Sequence, residues 1–390
     1  MVGGLTIGYT CNVRPAELDA DPRYGEWEGS ETINSVINSF EKTGNRVILL
    51  DADKDIYHKL LRHTREIDIV FNNAEGFKEV GIREAAVPFF CDYLNVPYSG
   101  SGPQTLMSAL DKPTTKEILR NYGIVTPLFQ RMDSYTDRLE KGLSFPLMVK
   151  PASEGTSIGI TQESRVDTNK GLARAVKRII TEYSQPALVE EFVEGDEYTV
   201  GITGKYVWPI LKLSHDSLPE KQSIRDPHVK EIEIPFVKVM SYGEKGYRNL
   251  ARQTAIAFEA LSCNDYCRMD FRKGKGEDGE FYFLEMNPLP GINPTTSDLP
   301  IMVRHTGLTY EEMINMILWE AIKRNRENKD YAGIFTEDKI AGVRDLTKSA
   351  KAKLGFYNKR VPADMDNGDA FRLVRTRKEG GELEGKLEGV

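Results

Sequence analysis

The chain is expected to combine two fold classes, an α/β domain on a parallel sheet and then an α+β region of antiparallel hairpins. Between Leu5 and about Gly102, short apolar runs alternate with segments of helical periodicity. Strands joined by helical crossovers run parallel, with helices on the sheet faces. Further along, apolar runs are separated by glycine turns, at Gly195-Asp196 and between Gly274 and Gly279, which read as hairpins. The third observation is the run Phe281-Tyr-Phe-Leu-Glu-Met-Asn287, an apolar strand that ends in a carboxylate and an amide before a Pro-Gly turn.

Length and composition bound the possibilities. With 390 residues, 40% hydrophobic and 28% charged, the chain can bury cores for two or three domains. A net charge of −7 and a pI near 5.5 argue against a nucleic-acid partner. The amino terminus does not resemble a signal peptide, and no apolar stretch approaches the length of a bilayer span, so no membrane partner is expected. Four cysteines in a chain of this size fit a reduced, cytoplasmic protein, with Cys263 and Cys267 as buried thiols rather than zinc ligands.

In chain order, Leu5 to Tyr9, Arg46 to Leu50, Asp68 to Phe71 and Val96 to Tyr98 are the expected strands of the parallel sheet. Ile33, Val36, Ile37 and Phe40 mark a helix between the first two. Ligands of such sheets gather at the carboxyl ends of the strands. Glu75 follows one such end and is suited to hold a substrate amino or carboxylate group. Ser99-Gly-Ser-Gly102 follows another, where a simple polar turn and a ligand loop both remain open. Thr105 to Tyr122 reads as one helix carrying Lys112 and Lys116.

Phe145 to Ile160 holds a buried strand closed by Lys150, then a loop with Glu154, Thr156 and Ser157 between Gly155 and Gly159. Small residues let backbone N–H groups approach phosphate oxygens while a lysine supplies charge. The lysine precedes the glycines, so this is not a Walker A loop. A helix from Lys170 to Tyr183 leads to Ala187 to Gly201, where Glu190, Glu191, Phe192 and Val193 precede a break at Gly195 and a restart after Glu197. Backbone groups of Phe192 and Val193, with a carboxylate beside them, suit a purine; a plain hairpin turn is compatible with that reading.

Leu213 to Lys230 is a long polar stretch with the character of a lid, containing His215, Lys221, Arg225 and Lys230. A helix from Tyr247 to Leu261 precedes two strands. One carries Arg268 and Asp270, the other Glu285 and Asn287, and the two-residue spacing puts each pair on one face. Two carboxylates and an amide beside an arginine suit Mg²⁺ completed by substrate phosphates.

Val149-Lys-Pro151 with Glu154 to Gly159, Glu190-Glu-Phe-Val-Glu-Gly-Asp-Glu197, Arg268-Met-Asp270 and Glu285-Met-Asn-Pro-Leu-Pro-Gly291 resemble, in order and spacing, the D-alanine:D-alanine ligases of the ATP-grasp superfamily. The resemblance spans roughly residues 5 to 326 and implies a Rossmann-like N-terminal parallel-sheet domain (1–104), a central ATP-grasp subdomain (105–190) and a C-terminal one carrying the metal site (191–330). It implies ATP and two Mg²⁺ ions, for which Mn²⁺ can substitute, held by Asp270, Glu285 and Asn287. Lys112 and Lys150 would hold phosphates, and Glu190 and Glu197 the adenine and ribose, with Lys221 as the lid contact. Arg268 and the Gly291 N–H would stabilise an oxyanion, and Ser297 would hold the carboxylate of the second amino acid. The activity implied is ATP-dependent joining of two amino-acid-like molecules through an acyl phosphate, in an enzyme of a kind that is often a homodimer.

Three regions depart from the family pattern: Asn72 to Glu84, the stretch before the first helix where Glu26 and Glu28 are the candidates, and the lid. They shape the pocket of the first amino acid. The sequence therefore leaves open a dipeptide ligase, a ligase that attaches an amino acid to a different amino acid or a secondary metabolite, and a nucleotide-binding regulatory protein without turnover. Residues 331–390 lie outside the resemblance and read as a charged tail with a small helix at Asp345 to Leu354.

Overall fold

The computed structural model describes residues 4–15, 17, 24–76, 82–155, 157–214, 224–226, 236–240, 243–276 and 279–358. Strands β1 (Thr6–Cys11), β2 (Arg46–Asp51) and β3 (Ile69–Asn73) run parallel in the order β2-β1-β3, with Ile7 opposite Val47 and Ile69. Helix α1 (Ser30–Glu41) buries Ile33, Val36 and Phe40 on one face of this sheet. Helices α2 (Ile56–His63) and α3 (Ala86–Leu94) cover the other, where Leu60, Val70, Val87 and Cys91 share a core. Parallel strands finish on one edge, so the loops after β1 and β3 open toward the same side.

The expected fourth strand at Val96–Tyr98 is only a single bridge between Val70 and Tyr98. Pro97 accepts from the Val70 N–H at 2.8 Å but has no N–H to donate, and the chain turns away at Gly100, φ +86°. The Ser99–Gly102 turn is occupied by the fold itself. Ser99 Oγ accepts from the Asn72 N–H at 3.0 Å, and the Gly100 N–H donates to Asp265 Oδ2 at 2.7 Å.

Two helices replace the single one expected at Thr105 to Tyr122: α4 (Pro103–Leu110) and α5 (Lys112–Arg120). Pro113 has no N–H to give residue 109, so it fits only in a first turn. Asp111 is extended and caps α5, accepting from the Thr114 N–H at 2.8 Å. The break sets Lys112 at the start of a helix, facing the cleft described below.

A four-stranded antiparallel sheet follows, in the order β4-β7-β5-β6. It comprises β4 (Phe129–Met132), β5 (Leu147–Pro151), β6 (Arg165–Val166) and β7 (Ala187–Glu191), and is backed by α6 (Asn169–Tyr183) through Leu172, Val176 and Ile179. The last sheet contains β8 (Glu197–Thr203), β9 (Tyr206–Val207), β10 (Leu211–Leu213), β11 (Val237–Val239), β12 (Tyr266–Lys273) and β13 (Phe281–Asn287). Its order is β11-β10-β8-β12-β13, with β9 on β8. Helix α7 (Tyr247–Ala260) packs behind it. Cys263 and Cys267 are buried free thiols, with Cys263 Sγ 3.5 Å from Met286 Sδ.

Helices α8 (Asp298–Arg304) and α9 (Tyr310–Arg326) return the chain to the first domain, and their Met302, Met313 and Ile317 share one core with Leu5, Ile7 and Phe40. The small helix expected at Asp345 to Leu354 is longer, α10 (Glu337–Asn358). It sets Ile340, Val343, Ala350 and Leu354 into that core beside Phe335. Charged residues between these positions hide the stripe in the composition, and some of them anchor it: Lys353 Nζ lies 2.6 Å from Glu312 Oε1, and Lys339 Nζ 2.7 Å from Asp68 Oδ1. Residues 359–390 lie outside the described residues. Among the described residues, no helix is long and apolar enough to cross a membrane.

Candidate active site

The site is organised by an irregularity in the β12–β13 pair. Arg268 pairs with Asn287 and Asp270 with Glu285, and then the register slips so that Phe271 meets Phe283. Leu284 is the extra residue of a β-bulge, which turns the strand. A strict two-residue period would put Phe281, Phe283, Glu285 and Asn287 on one face. The bulge instead sends Phe281 and Phe283 into the core behind the sheet, while Leu284, Glu285 and Asn287 line cavities in front.

The first cavity, about 80 Å³, lies between the two antiparallel sheets. Lys150, Ser157, Glu190, Glu191, Phe192, Val193, Glu197, Asp270 and Glu285 all line it, with Met148, Ile160 and Leu284 as its apolar surface. Nine of the sequence-predicted nucleotide and metal residues thus line one cavity, whereas Lys112, Glu154 and Asn287 line the neighbouring one. Thr156 and Lys221, like His215 and Lys230, fall outside the described residues.

This cleft is held by ion pairs. Glu190 Oε1 is 2.7 Å from Lys150 Nζ, and Oε2 is 2.9 Å from Lys116 Nζ, with all three side chains buried. Burial pushes the Glu190 carboxyl up, but the two ammonium groups outweigh it and hold it below the usual range. Burial would depress Lys150, yet Glu190 and Glu285 keep it raised. Lys116 is fully enclosed, and burial wins there, lowering its ammonium to about 8. Lys116 also donates to Thr126 Oγ1 at 2.8 Å and to the Phe283 carbonyl at 3.1 Å, tying α5 to β13. Sequence reasoning placed it on the helix that carries Lys112 and gave it no role.

Phe192 differs from expectation. Its N–H donates to the Pro146 carbonyl at 3.0 Å and is therefore occupied within the fold. Its ring is what it offers, with the Arg165 and Arg272 guanidiniums 4.9 and 4.7 Å from the centroid. Ser157, in the left-handed region at φ +60°, donates through Oγ to the Arg225 carbonyl at 2.9 Å and so ties the phosphate loop to the segment at 224–226.

The second cavity, about 380 Å³, adjoins the first; Arg225 lines both. Its lining includes the predicted Glu75, Lys112, Glu154, Arg268, Asn287, Gly291 and Ser297. Lys112 Nζ bridges the two regions, donating to the Glu154 carbonyl and lying 3.5 Å from Glu285 Oε2. Arg268 is steered from both sides, Nη2 being 3.0 Å from Asp270 Oδ2 and Nη1 3.5 Å from Asp298 Oδ2. Asp298 Oδ1 in turn lies 3.0 Å from Arg225 Nη2. Neither Asp298 nor Arg225 was singled out as a site residue from sequence, although Asp298 directly follows Ser297. Ser297 Oγ accepts from the Asn293 N–H at 3.0 Å, which leaves its hydroxyl proton for a ligand.

At the opposite end of this cavity, Arg83 is shared by three carboxylates: Glu26 at 3.0 Å, and Glu84 and Glu154 at 3.8 Å each. Glu28 accepts from Asn73 Nδ2 at 2.6 Å. Burial raises Glu75 well above the carboxylate range, reinforced by Glu26 and Glu84, and carries Glu84 up to about 7 against the pull of Arg83. Neither Arg83 nor Glu84 was singled out as a site residue from sequence.

The residues fit a metal held partly by its substrate. Asp270 Oδ1 is buried without a hydrogen-bond partner, so an oxygen ligand stands ready on a strand paired with the one that carries Glu285 and Asn287, whose amide would ligate through Oδ1. Among the described residues, no cluster of three or more His, Cys, Asp or Glu could hold an ion by itself. That suits Mg²⁺, which keeps waters and shares phosphate oxygens rather than sitting in an all-protein cage.

Two antiparallel sheets closing on a nucleotide-type cleft, with a substrate cavity against its metal-type end, define an ATP-grasp enzyme. The family model described as D-ala D-ala ligase C-terminus matches residues 121–319. An uncharacterised protein of Sinorhizobium fredii is 30% identical over 309 residues, covering 76% of this chain and 89% of its own. A D-alanine–D-alanine ligase of Aquifex aeolicus is 29% identical over 295 residues, covering 74% and 94%. The structure of the Bacillus anthracis D-alanine–D-alanine ligase complexed with ATP superposes with a TM-score of 0.61 at 21% identity, covering 83% of this chain and 99% of that one. The chain belongs to the D-alanine–D-alanine ligase family. It is an ATP-dependent ligase that forms C–N bonds.

Proposed function

We propose that this enzyme joins two amino-acid-like molecules, phosphorylating the carboxylate of the first with ATP and letting the amine of the second displace phosphate. The observation that carries this reading is the meeting of the two cavities at the Arg268–Asp270 and Glu285–Asn287 strand ends. Residues 105–190 and 191–330 grip the nucleotide in this scheme, and 1–104 supplies the pocket of the first substrate. Lys150 and Lys112 face the phosphates, the loop at Glu154 to Ser157 covers them, and Glu190 and Glu197 take adenine and ribose. Asp270, Glu285 and Asn287 would hold two Mg²⁺ ions, or Mn²⁺ in their place. When bound, the metal supplies charge neutralisation for the transferring phosphoryl group.

Arg268, oriented by Asp270 and Asp298, and the Gly291 N–H meet the negative charge that develops on the carbonyl oxygen as the amine attacks. Ser297 donates to the carboxylate of the second substrate, and Glu75 faces the amino end of the first. Exclusion of water during the reaction would protect the acyl phosphate from hydrolysis. The relatives named as D-alanine–D-alanine ligases support a dipeptide product; the departure from the family pattern between Asn72 and Glu84 supports a different first amino acid. Cytoplasmic location and a homodimeric state accompany this proposal, the latter checked by sedimentation. The deciding experiment is a phosphate-release screen with ATP and Mg²⁺ over D- and L-amino acids, singly and in pairs, with mass spectrometry of products. Phosphate together with a new amide supports the proposal; no phosphate with any pair ends it.

A further inference from the structure

Strand β12 sends Arg268, Asp270 and Arg272 to one face, two residues apart. The first two belong to the proposed chemistry, whereas Arg272, which also lines the smaller cavity, has no role in it. It is 6% exposed and stands directly across the β8–β12 pairing from Glu197. Its Nε donates to the Gly195 carbonyl at 3.1 Å, Nη2 lies 3.8 Å from Glu197 Oε1, and the guanidinium lies 4.7 Å from the Phe192 ring centroid. Phe192, Gly195 and Glu197 therefore rest on one side chain. Their segment carries the chain from β7 to β8, out of one sheet that faces the cavity and into the other. Gly195 takes φ +142°, and a Cβ there would lie 2.1 Å from the Lys273 carbonyl oxygen, so the turn is seated tightly against β12. The Lys273 N–H closes it by donating to the Asp196 carbonyl at 3.0 Å.

A carboxylate that accepts from ribose hydroxyls works best ionised and held still, because charge-assisted hydrogen bonds are short and directional. A guanidinium opposite it across a strand pair favours both. Burial pulls the Arg272 guanidinium below its ordinary range while Glu197, and then Asp196, push it up, so an ion pair is kept in an enclosed place. We propose that Arg272 is a positioning residue that holds Glu197 toward the ribose and so makes the cavity select ribonucleotides over 2′-deoxyribonucleotides. This deepens the ligase reading and rests on its assignment of Glu197 to the ribose. A lysine in this place would carry the charge without the planar fork that spans Gly195, Phe192 and Glu197. The selection follows from what an enclosed carboxylate loses when its hydroxyl partner is missing.

The test is calorimetric titration of the full chain with ADP and with 2′-deoxyADP in the presence of Mg²⁺. The native chain should bind ADP about tenfold more tightly than 2′-deoxyADP. Arg272→Met should weaken ADP about tenfold and leave 2′-deoxyADP within about twofold, so that the ratio collapses toward one. Arg272→Lys should give an intermediate ratio. Glu197→Gln should remove the preference by itself, and adding Arg272→Met to it should change ADP binding by no more than about twofold, as when one residue acts through another. If Arg272→Met does not fold, the lysine variant carries the test, and a native ratio in it overturns the proposal. Equal loss for both nucleotides in Arg272→Met also overturns it, since that marks a brace of the fold alone. A native chain that binds ADP without preferring ribose ends this proposal and leaves the nucleotide cleft standing; one that binds neither nucleotide sinks the ligase reading with it.

Discussion

The two adjoining cavities treat buried charge in opposite ways. In the smaller cavity, Glu190 sits between Lys116 and Lys150 at 2.9 and 2.7 Å, so this carboxylate is paired before any ligand arrives. In the larger cavity, one guanidinium, Arg83, serves Glu26, Glu84 and Glu154, and Glu75 has no hydrogen-bond donor among the described residues. In the proposed function the smaller cavity receives the nucleotide and the larger one the amino-acid substrates, so the buried ion pairs lie on the nucleotide side and the carboxylate-rich lining on the substrate side. Preorganised charge favours binding by removing reorganisation, and unmatched charge favours selectivity by penalising the wrong ligand.

The largest effect is expected where the cavities meet. Asp270→Asn should lower phosphate release by about a thousandfold, since it removes a metal ligand and a partner of Arg268 together. Urea denaturation of the same variant should shift by no more than about 1 kcal/mol, because Arg268 keeps Asp298 as a second carboxylate partner. Retained turnover would remove Asp270 from the metal assignment.

A second test breaks the contrast directly. Glu190→Gln leaves two buried ammonium groups without their carboxylate and should cost about 3 kcal/mol of stability in the absence of nucleotide. Glu84→Gln, by comparison, should leave ligand-free stability within about 0.5 kcal/mol or raise it. Equal losses in the two variants would mean that the cavities do not differ as described.

The smallest expected effect lies on the positioning carboxylate. Asp298→Asn weakens the hold on Arg225 and Arg268 and should reduce kcat about tenfold with KM for ATP little changed, as for an interaction realised mainly in the transition state. Asp298→Glu should recover part of the loss. A change confined to KM would assign Asp298 to substrate binding instead.

Much of this site was legible because its parts are local. The strand ending at Lys150, the carboxylates at Glu190 and Glu197, and the two-residue spacings at Arg268 and Asp270 each signal their chemistry within a few residues. Lys150, Glu190, Glu197, Asp270 and Glu285 line one cavity although they come from two sheets. Lys116 was not legible, because a lysine at an exposed helix position and one enclosed between sheets have the same local sequence. The stripe of α10 was hidden in the same way, by lysines that pair with Glu312 and Asp68, far away in the chain.

The sequence by itself determined the fold class, the order of strands and helices, and the types of group available for phosphate, metal and oxyanion, since periodicity and turn chemistry act over a few residues. Tertiary structure alone decided which face those groups take and what charge surrounds them. A single extra residue, Leu284, reverses the face of Glu285 relative to Phe283, and the pairing of β12 with β13 permits it. The sharing of Arg83 among Glu26, Glu84 and Glu154 depends on how far its guanidinium reaches among carboxylates from three separate segments. Electrostatic energy follows distance and burial in space, and neither is written in the spacing of residues along a chain.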